Sequence, residues 1–393
     1  MKCTVRNAVV FIFLAAVVCS SCRKTGYTGL GTSIYNPEYL NTSRFIKGPN
    51  VTGTDSIYIN RKYDGCPTIE MTGDGILFSV HTGNTDTTQQ GEGPGDFMVV
   101  SISPDSGRTW VNGKLLLVPG SKRDKYFDAT IFRGANGKAM LCFAHTTDSL
   151  RWDGRGGVYV TELSYDRGAD TIAYTRPRFL FDGVANNKPD LVDGQLYFAV
   201  SEWGPENWGN RIYTVPYAAF GTEEPRLLSR LPDAEAFSCE PSVTYLGADS
   251  EYIALLRVEG TGMAYTTSRD LKNWTGPRSY NGFIGDNASS RHCIRRLKSG
   301  HLLLIVNSSK FPDRSDISAF ISVDNGKTWG HKFIIEGKGS YPDATEDDNG
   351  TIYIVYDRYR IWLRQIDVVK VSEDDILQNN LSAITKVNLN PIR

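Results

Sequence analysis

Short strands of alternating or continuous apolar residues recur along the chain, and each opens on a two-residue turn. The six copies start at residues 74, 136, 193, 250, 299 and 349, at spacings of 49 to 62 residues between their second turn positions. Four of the six turns are Asp-Gly or Asn-Gly, which are strong hairpin signals because both residues accept positive φ. A strand repeat of this period predicts one small sheet per repeat.

Each copy is followed by a second predicted strand, and five of these six strands end at a serine. Two of the serines open a complete motif, SPDSGRTW at residues 103–110 and SVDNGKTW at residues 322–329, and shorter versions follow the serines at 164, 268 and 372. In such a motif the Asp side chain can bond turn N–H groups, the Gly adopts a backbone conformation closed to other residues, and the Trp covers the sheet edge. We interpret these motifs as structural clasps that lie away from any chemistry.

Six such units predict an all-β protein, a closed six-bladed β-propeller. The propeller is expected to occupy residues 46–386, and residues 56–60 are expected to form an early strand that completes the last blade and closes the ring. No second domain fits in the remaining sequence.

The first 21 residues have the pattern of a secretory signal. Lys2 and Arg6 precede an apolar run at residues 8–18, which is too short to span a bilayer, and two serines then precede Cys22. This order resembles the lipobox of bacterial lipoproteins, so we expect lipidation at Cys22, with residues 22–45 as a tether and the chain held at the bacterial cell envelope by its lipid. Cys19 is a second candidate for the lipid, and a plain cleaved signal is the alternative.

Composition and charge exclude several classes of function. Charged residues make up 22% of the chain and the net charge is −1, with no basic stripe, so nucleic acid is excluded as a partner. The four cysteines beyond the signal (Cys66, Cys142, Cys239 and Cys293) show no C-x-x-C or Cys–His spacing of a zinc site. The sequence therefore predicts a monomer with no metal and no cofactor.

The repeat also marks one position just before or at the start of each innermost strand. Its six occupants are Cys66, Asp128, Lys188, Glu240, Arg291 and Tyr341. A structural repeat needs only one residue type at an equivalent position, whereas charged groups converging on a narrow axis are costly unless they are paired or used. Two interpretations stay open: a ligand site on the axis, which we favour, or a plug of ion pairs across the channel.

The serine motifs are Asp-boxes, and with them the chain resembles the sialidase superfamily of BNR-repeat proteins over nearly its whole mature length. The resemblance is clearest in Asn187-Lys188-Pro189, in Glu240-Pro-Ser-Val, and in Ser340-Tyr341-Pro342-Asp343. In the family, a tyrosine is the nucleophile and a glutamate removes its proton, while three arginines grip the carboxylate of the sugar.

Carried over by position, the resemblance implies that Tyr341 is the nucleophile and Glu240 its base. Arg257 and Arg314 would be two of the carboxylate grips, and the axis position implies substrate contacts for Asp128, Lys188 and the neighbouring Asn187.

The chain departs from the family at the first arginine, because the matching stretch reads Asp64-Gly65-Cys66-Pro67. Arg291 on the axis is a candidate replacement. The acid/base carboxyl should fall in the loop at residues 81–96, where Asp86, Glu92 and Asp96 are candidates and Glu92 is our choice.

These assignments predict an exo-acting glycoside hydrolase that removes a terminal, acidic sugar from a glycan. One alternative is a glycosidase for another sugar, with a different acid pair such as Asp343 and Glu240. The other is a non-catalytic glycan-binding propeller.

Overall fold

The computed structural model describes residues 43–48, 53–86, 91–146, 156–202, 209–234, 236–247, 251–310 and 312–390. Within these residues the chain forms six antiparallel sheets arranged as the blades of a β-propeller, which confirms the predicted fold. The expected signal segment, Cys22 and most of the expected tether lie outside the described residues. None of the helices described there is both long and apolar enough to cross a membrane.

The blades are numbered in chain order. Blade 1 contains β1 (Arg44–Lys47), β2 (Tyr63–Met71), β3 (Leu77–Asn84), β4 (Phe97–Ser103) and β5 (Val111–Val118). Blade 2 contains β6 (Lys125–Arg133), β7 (Ala139–Thr146), β8 (Val158–Asp166), β9 (Thr171–Tyr174) and β10 (Arg178–Phe181). Blade 3 contains β11 (Asp190–Val192), β12 (Gln195–Glu202), β13 (Gly209–Pro216) and β14 (Arg226–Arg230).

The second half of the ring repeats this order. Blade 4 contains β15 (Ser238–Tyr245), β16 (Tyr252–Val258), β17 (Gly262–Ser268) and β18 (Arg278–Ser279). Blade 5 contains β19 (Cys293–Arg296), β20 (Leu302–Asn307), β21 (Ser315–Ser322) and β22 (Phe333–Lys338), and blade 6 contains β23 (Ser340–Glu346), β24 (Thr351–Arg358), β25 (Gln365–Ser372) and β26 (Thr385–Asn388). Short helices connect these strands: 3₁₀ turns at Gly53–Ile59, Tyr217–Ala219 and Leu381–Ala383, α1 (Asn281–Ile284) and α2 (Glu373–Leu377).

The strand that precedes each repeated turn is innermost in its blade, as the repeat predicts. These strands are β2, β6, β11, β15, β19 and β23, and each stands at the end of its sheet nearest the axis. Apolar side chains from facing sheets fill the spaces between blades; the cluster of Ile69, Leu77, Tyr353, Val355 and Val368 joins blade 1 to blade 6.

The predicted ring-closing strand at residues 56–60 is wrong. Residues Gly53–Ile59 form a 3₁₀ helix, and blade 6 takes all four of its strands from the C-terminal part of the chain. The N-terminal strand that does exist, β1, pairs with β5 on blade 1, and it begins at Arg44, inside the expected tether. Blades 1 and 6 are joined instead by their shared apolar cluster and by the Asp343 carboxylate, which accepts from Thr68 Oγ1 at 2.6 Å.

The two complete Asp-boxes form matching clasps. Asp105 accepts from Ser103 Oγ at 2.8 Å, from Thr109 N at 2.9 Å and from Thr109 Oγ1 at 2.7 Å. Asp324 receives the same three bonds, at 2.8, 2.8 and 2.6 Å. The motifs therefore close turns between strands, in agreement with the structural interpretation.

Candidate functional site

A shared backbone irregularity presents four of the six axial residues to the centre. Cys66, Asp128, Glu240 and Tyr341 have φ of 54°, 47°, 48° and 57°, the left-handed region that non-glycine residues seldom occupy. At each of them the pairing of the innermost strand with its neighbour shifts register, as in a β-bulge. Strained bulges that recur at equivalent positions and re-aim polar side chains are typical of functional sites.

Tyr341, Glu240 and Arg257 form a closed triangle. Arg257 Nη1 donates to Glu240 Oε1 at 2.6 Å and to the Tyr341 hydroxyl at 3.1 Å. The hydroxyl in turn donates to Glu240 Oε1 at 3.3 Å. The structure thus brings together the three residues for which the family resemblance implies the roles of nucleophile, base and anion grip.

The charges around this triangle set the protonation of its members. Burial and the neighbouring Glu240 carboxylate raise the pKa of the Tyr341 phenol, so the phenol is neutral at rest. Burial would raise the pKa of Glu240 as well, but the guanidinium groups of Arg257, Arg291 and Arg314 outweigh it and hold that pKa below its ordinary value. The result is a neutral phenol hydrogen-bonded to an ionised carboxylate, which is the arrangement that a tyrosine nucleophile needs.

A second cluster contains Cys66, Glu92 and Asp128. Their ligand atoms all lie within 4.8 Å of one another, and the Cys66 thiol donates to Glu92 Oε1 at 2.7 Å. Burial and the carboxylates of Glu92 and Glu240 raise the pKa of Asp128 to about 8, so Asp128 is protonated at neutral pH. This cluster therefore holds a proton at neutral pH.

The loop that carries Glu92 is fastened by Asp96. The Asp96 carboxylate accepts from Asn84 Nδ2 at 2.6 Å and from the backbone N–H of Gly93 at 2.8 Å. Asp86, the third acidic residue in the loop, donates its own backbone N–H to Asn84 Oδ1 at 2.7 Å. Of the three carboxyl candidates, Glu92 is the one that the structure places beside Asp128 and Cys66.

Three further residues of the predicted site make structural contacts near the propeller axis. Lys188 Nζ lies 3.3 Å from Asp343 and 3.2 Å from Glu70, and it also donates to the Ala344 carbonyl at 2.8 Å. These partners lie two to four residues further along the innermost strands than the bulges, so Lys188 and Asp343 belong to an ion-pair plug that crosses the axis. Asn187 donates to the carbonyls of Glu240 and Pro241 at 3.2 and 3.0 Å and so fastens the bulge of blade 4.

Arg291 lies beside Tyr341, with its guanidinium 5.0 Å from the centre of the Tyr341 ring. It is 1% exposed, and its guanidinium donates to the carbonyls of Pro67 at 2.6 Å, Asn186 at 3.3 Å and Tyr341 at 3.4 Å. These bonds join the innermost strands of blades 1 and 6 to the segment before β11. The Arg291 guanidinium is therefore bonded to backbone carbonyls of several blades. It is not exposed to a ligand in the way that a replacement for the missing family arginine would need to be.

Arg360 is a residue beside Tyr341 that the sequence analysis did not assign to the site. Its guanidinium lies 3.9 Å from the centre of the Tyr341 ring, donates to Ser340 Oγ at 3.0 Å and pairs with Asp357 at 2.9 Å. Its side-chain stem runs along blade 1, since a Cβ added to Gly65 would lie 3.1 Å from Arg360 Cδ. Arg360 thus reaches from blade 6 to the residue next to Cys66, where the family arginine is absent.

A cavity of about 330 Å³ opens beside this group. Its wall includes Arg314, whose guanidinium is 5.8 Å from the Tyr341 ring centre, together with Arg360, Lys338 and Asp357. Its rim carries Trp362, which is 81% exposed. Since Arg360 neutralises Asp357, the cavity has a net positive charge and suits an anionic group.

Comparisons with known proteins bear on the fold and the family of this chain. The family model of the BNR repeat-like domain matches residues 89–354, more than half of the chain. No match is found among curated proteins. Many solved structures share the fold.

Three of these solved structures show the extent of the similarity. A Hadza microbial sialidase is 18% identical, with a TM-score of 0.58 over 76% of this chain and 64% of its own. A Trypanosoma rangeli sialidase solved in complex with sialic acid is 14% identical, with a TM-score of 0.60 over 89% of this chain and 60% of its own. A Dyadobacter fermentans protein of unknown function is 15% identical, with a TM-score of 0.59 over 77% of this chain and 92% of its own.

The chain spans less than two thirds of the length of both sialidases. At these identities the structural similarity establishes the fold, and the match to the family model establishes the family. The chain is a sialidase-like β-propeller, and it belongs to the BNR repeat-like domain family.

Proposed function

We propose that this protein is an exo-acting glycoside hydrolase that removes a terminal acidic sugar from a glycan. The observation that carries the proposal is the triangle of Tyr341, Glu240 and Arg257, with a neutral phenol 3.3 Å from an ionised carboxylate. A phenol suits an anomeric carbon that bears a carboxylate, because a carboxylate nucleophile would be repelled.

In the proposed reaction Glu240 accepts the phenol proton while Tyr341 Oη attacks the anomeric carbon. The leaving oxygen takes its proton from the pair of Glu92 and Asp128, and the same pair later removes a proton from the water that releases the sugar. The half-buried Glu92 is the member that meets the substrate. Asp128, which is protonated at neutral pH, replenishes its proton.

The anionic group of the sugar is held by arginines from three blades. Arg257 lies on blade 4, Arg314 precedes β21 on blade 5, and Arg360 follows β24 on blade 6. Guanidinium groups bind carboxylates through paired, charge-assisted hydrogen bonds. Arg360 provides a guanidinium next to the position where Cys66 replaces the arginine of the family, and the exposed ring of Trp362 is available to stack on the glycan.

The test is a product screen with the purified chain over mixed glycans carrying sialic acid, uronic acids and neutral terminal sugars. We expect release of one free acidic monosaccharide, and we expect Tyr341→Phe and Glu240→Gln to abolish it. Tyr356→Phe is the matched control, because that tyrosine lies on the neighbouring strand in the apolar core and should leave release unchanged. Full release by Tyr341→Phe would contradict the mechanism.

A non-catalytic glycan-binding propeller is the second candidate function. The replacement of the first arginine by Cys66 favours it, because the family uses that arginine in gripping the substrate. In this case the chain should retain a glycan unchanged at high protein concentration. Neither the wild type nor Tyr341→Phe should then turn over the glycan, and Tyr341→Phe should only weaken its binding.

We also propose that the chain is exported and anchored at the cell envelope through a lipid on Cys22. The signal-like pattern before that residue supports this. Incorporation of labelled palmitate into the wild-type chain, and its loss in Cys22→Ser, would be the expected result. Labelling that persists in Cys22→Ser would overturn the assignment.

A further inference from the structure

The cluster of Cys66, Glu92 and Asp128 combines a thiol with two carboxylates from three separate elements. Cys66 lies on β2, Glu92 in the loop between β3 and β4, and Asp128 on β6. Cys66 is fully buried and Asp128 is 5% exposed, yet the ligand atoms of all three lie within 4.8 Å of one another. Three metal-ligating groups therefore converge at one point beside the axis.

The Asp128 carboxylate has an unfilled acceptor capacity. The buried Asp96 accepts from Asn84 Nδ2 and from the backbone N–H of Gly93, whereas no hydrogen bond to the Asp128 carboxylate is found among the described residues. Its nearest charged neighbour in the cluster, Glu92, is another carboxylate. The guanidinium groups of Arg291 and Arg360 act on Asp128 from outside the cluster, and a cation bound between the two carboxylates would further reduce their mutual repulsion.

The spacing of the three groups fits a small divalent cation. Zn²⁺ binds sulfur at about 2.3 Å and oxygen at about 2.0–2.2 Å with tetrahedral angles, which places its ligand atoms roughly 3.5 Å apart. The separations in the cluster range from 2.7 Å, between Cys66 Sγ and Glu92 Oε1, to at most 4.8 Å. Small side-chain rotations therefore suffice. A thiolate ligand selects Zn²⁺ over Mg²⁺ and Ca²⁺, which prefer oxygen alone.

We propose that Cys66, Glu92 and Asp128 form a binding site for one Zn²⁺ ion, with water as the fourth ligand. Binding displaces the thiol proton of Cys66, because the thiolate is the form that ligates a metal. The bound ion occupies the two carboxylates that supply the catalytic proton, and it therefore inhibits glycan cleavage reversibly. The binding itself is independent of the proposed hydrolase function, whereas the inhibition rests on it.

The site is tested by isothermal titration calorimetry, in which Zn²⁺ alone is added to the full chain. We expect one equivalent to bind with a Kd of about 1 µM or tighter, and Cys66→Ser and Asp128→Asn to weaken it at least about 100-fold. Cys142→Ser, which alters a buried thiol in the core between blades 2 and 3, should bind like the wild type. Co²⁺ in place of Zn²⁺ should give a sulfur-to-metal charge-transfer absorption that Cys66→Ser abolishes.

Each outcome of these titrations decides the proposal. Cysteines elsewhere in the chain contribute equally to all variants, so the difference between wild type and Cys66→Ser measures this site alone. An unchanged titration in both Cys66→Ser and Asp128→Asn, or a wild-type Kd above about 100 µM, would overturn it.

Activity measurements separate this inference from the proposed function. Sugar release that continues unchanged with Zn²⁺ bound would refute the inhibition and leave the binding site in place. A chain that binds Zn²⁺ through Cys66 but releases no sugar from any glycan would refute the hydrolase and not the metal site.

Discussion

Asparagine in place of Asp128 should stabilise the protein at alkaline pH. Asp128 is 5% exposed, and burial together with the carboxylates of Glu92 and Glu240 raises its pKa from 3.8 to about 8. Between these two values the folded chain binds more protons at this residue than the unfolded chain does. The free energy of unfolding therefore falls as pH rises through this window, and it levels off above pH 8.

The magnitude follows from the width of the window. One pH unit corresponds to about 1.4 kcal/mol for a single titrating group, so the wild type should lose about 3 kcal/mol of stability between pH 6 and pH 8. This is an upper bound, because Glu92 lies beside Asp128 and can take part of the proton. Asp128→Asn carries no charge at either pH and should lose none of this amount.

The measurement is urea unfolding of wild type and Asp128→Asn at pH 6 and pH 8, with the free energies compared at each pH. Asp343→Asn is the control with the opposite sign. Burial would raise the pKa of Asp343, but Lys188 and the hydrogen bond from Thr68 hold it below the ordinary value. Its contribution to stability is thus present above the pKa of the unfolded chain and is lost as pH falls.

Removing that charge leaves the buried Lys188 with Glu70 as its one carboxylate partner among the described residues, and Asp343→Asn should cost about 3–5 kcal/mol at pH 7. If Asp128→Asn shows the same difference from wild type at pH 6 and pH 8, Asp128 does not hold a proton in the folded state. The reasoning about the proton source would then be refuted.

Three other substitutions have distinct expected results. Arg257→Met should raise the pKa of Glu240, so the acidic limb of the pH–rate profile should shift to higher pH. The same substitution should lower kcat at least about 100-fold. An unshifted profile would contradict the role of Arg257. Arg360→Met should weaken binding of an acidic monosaccharide about 10-fold or more in calorimetry while leaving a neutral analogue unaffected, and equal losses for both sugars would argue against a charge-specific grip. Asp105→Ala removes three hydrogen bonds from an Asp-box. It should lower the free energy of unfolding by about 1–2 kcal/mol and leave kcat unchanged. A loss of activity at constant stability would disprove the structural interpretation.

The blades could be predicted from sequence because the strands of each blade are close together along the chain. A hairpin turn, the strand after it and the serine that opens an Asp-box all lie within a few tens of residues, so their pattern is visible in the chain. Ring closure was mispredicted because it depends on contact between the two ends of the propeller. Residues 56–60 include Ile57, Tyr58 and Ile59, which favour a strand, yet β26 provides the fourth strand of blade 6 and Gly53–Ile59 form a 3₁₀ helix.

Some residues of the candidate site could likewise be predicted from the sequence, and others could not. Tyr341 and Glu240 could be found from the register of the repeat, because equivalent positions on equivalent strands converge at the axis. Lys188 occupies an equivalent position, but its long side chain continues along the axis to Asp343 and becomes part of the plug. Arg360 has no repeated position at all, since it lies in a loop after β24, and only the fold brings it to the Tyr341 ring.

The amino-acid sequence by itself determined the number of blades, the innermost strand of each blade and the residue types at the axis. The tertiary structure alone decided which of those axial groups pair with one another, which loop residue approaches blade 1 beside Cys66, and where protons reside. Periodicity is a property of neighbours along the chain, whereas pKa values and ion pairs depend on distances between residues from different blades.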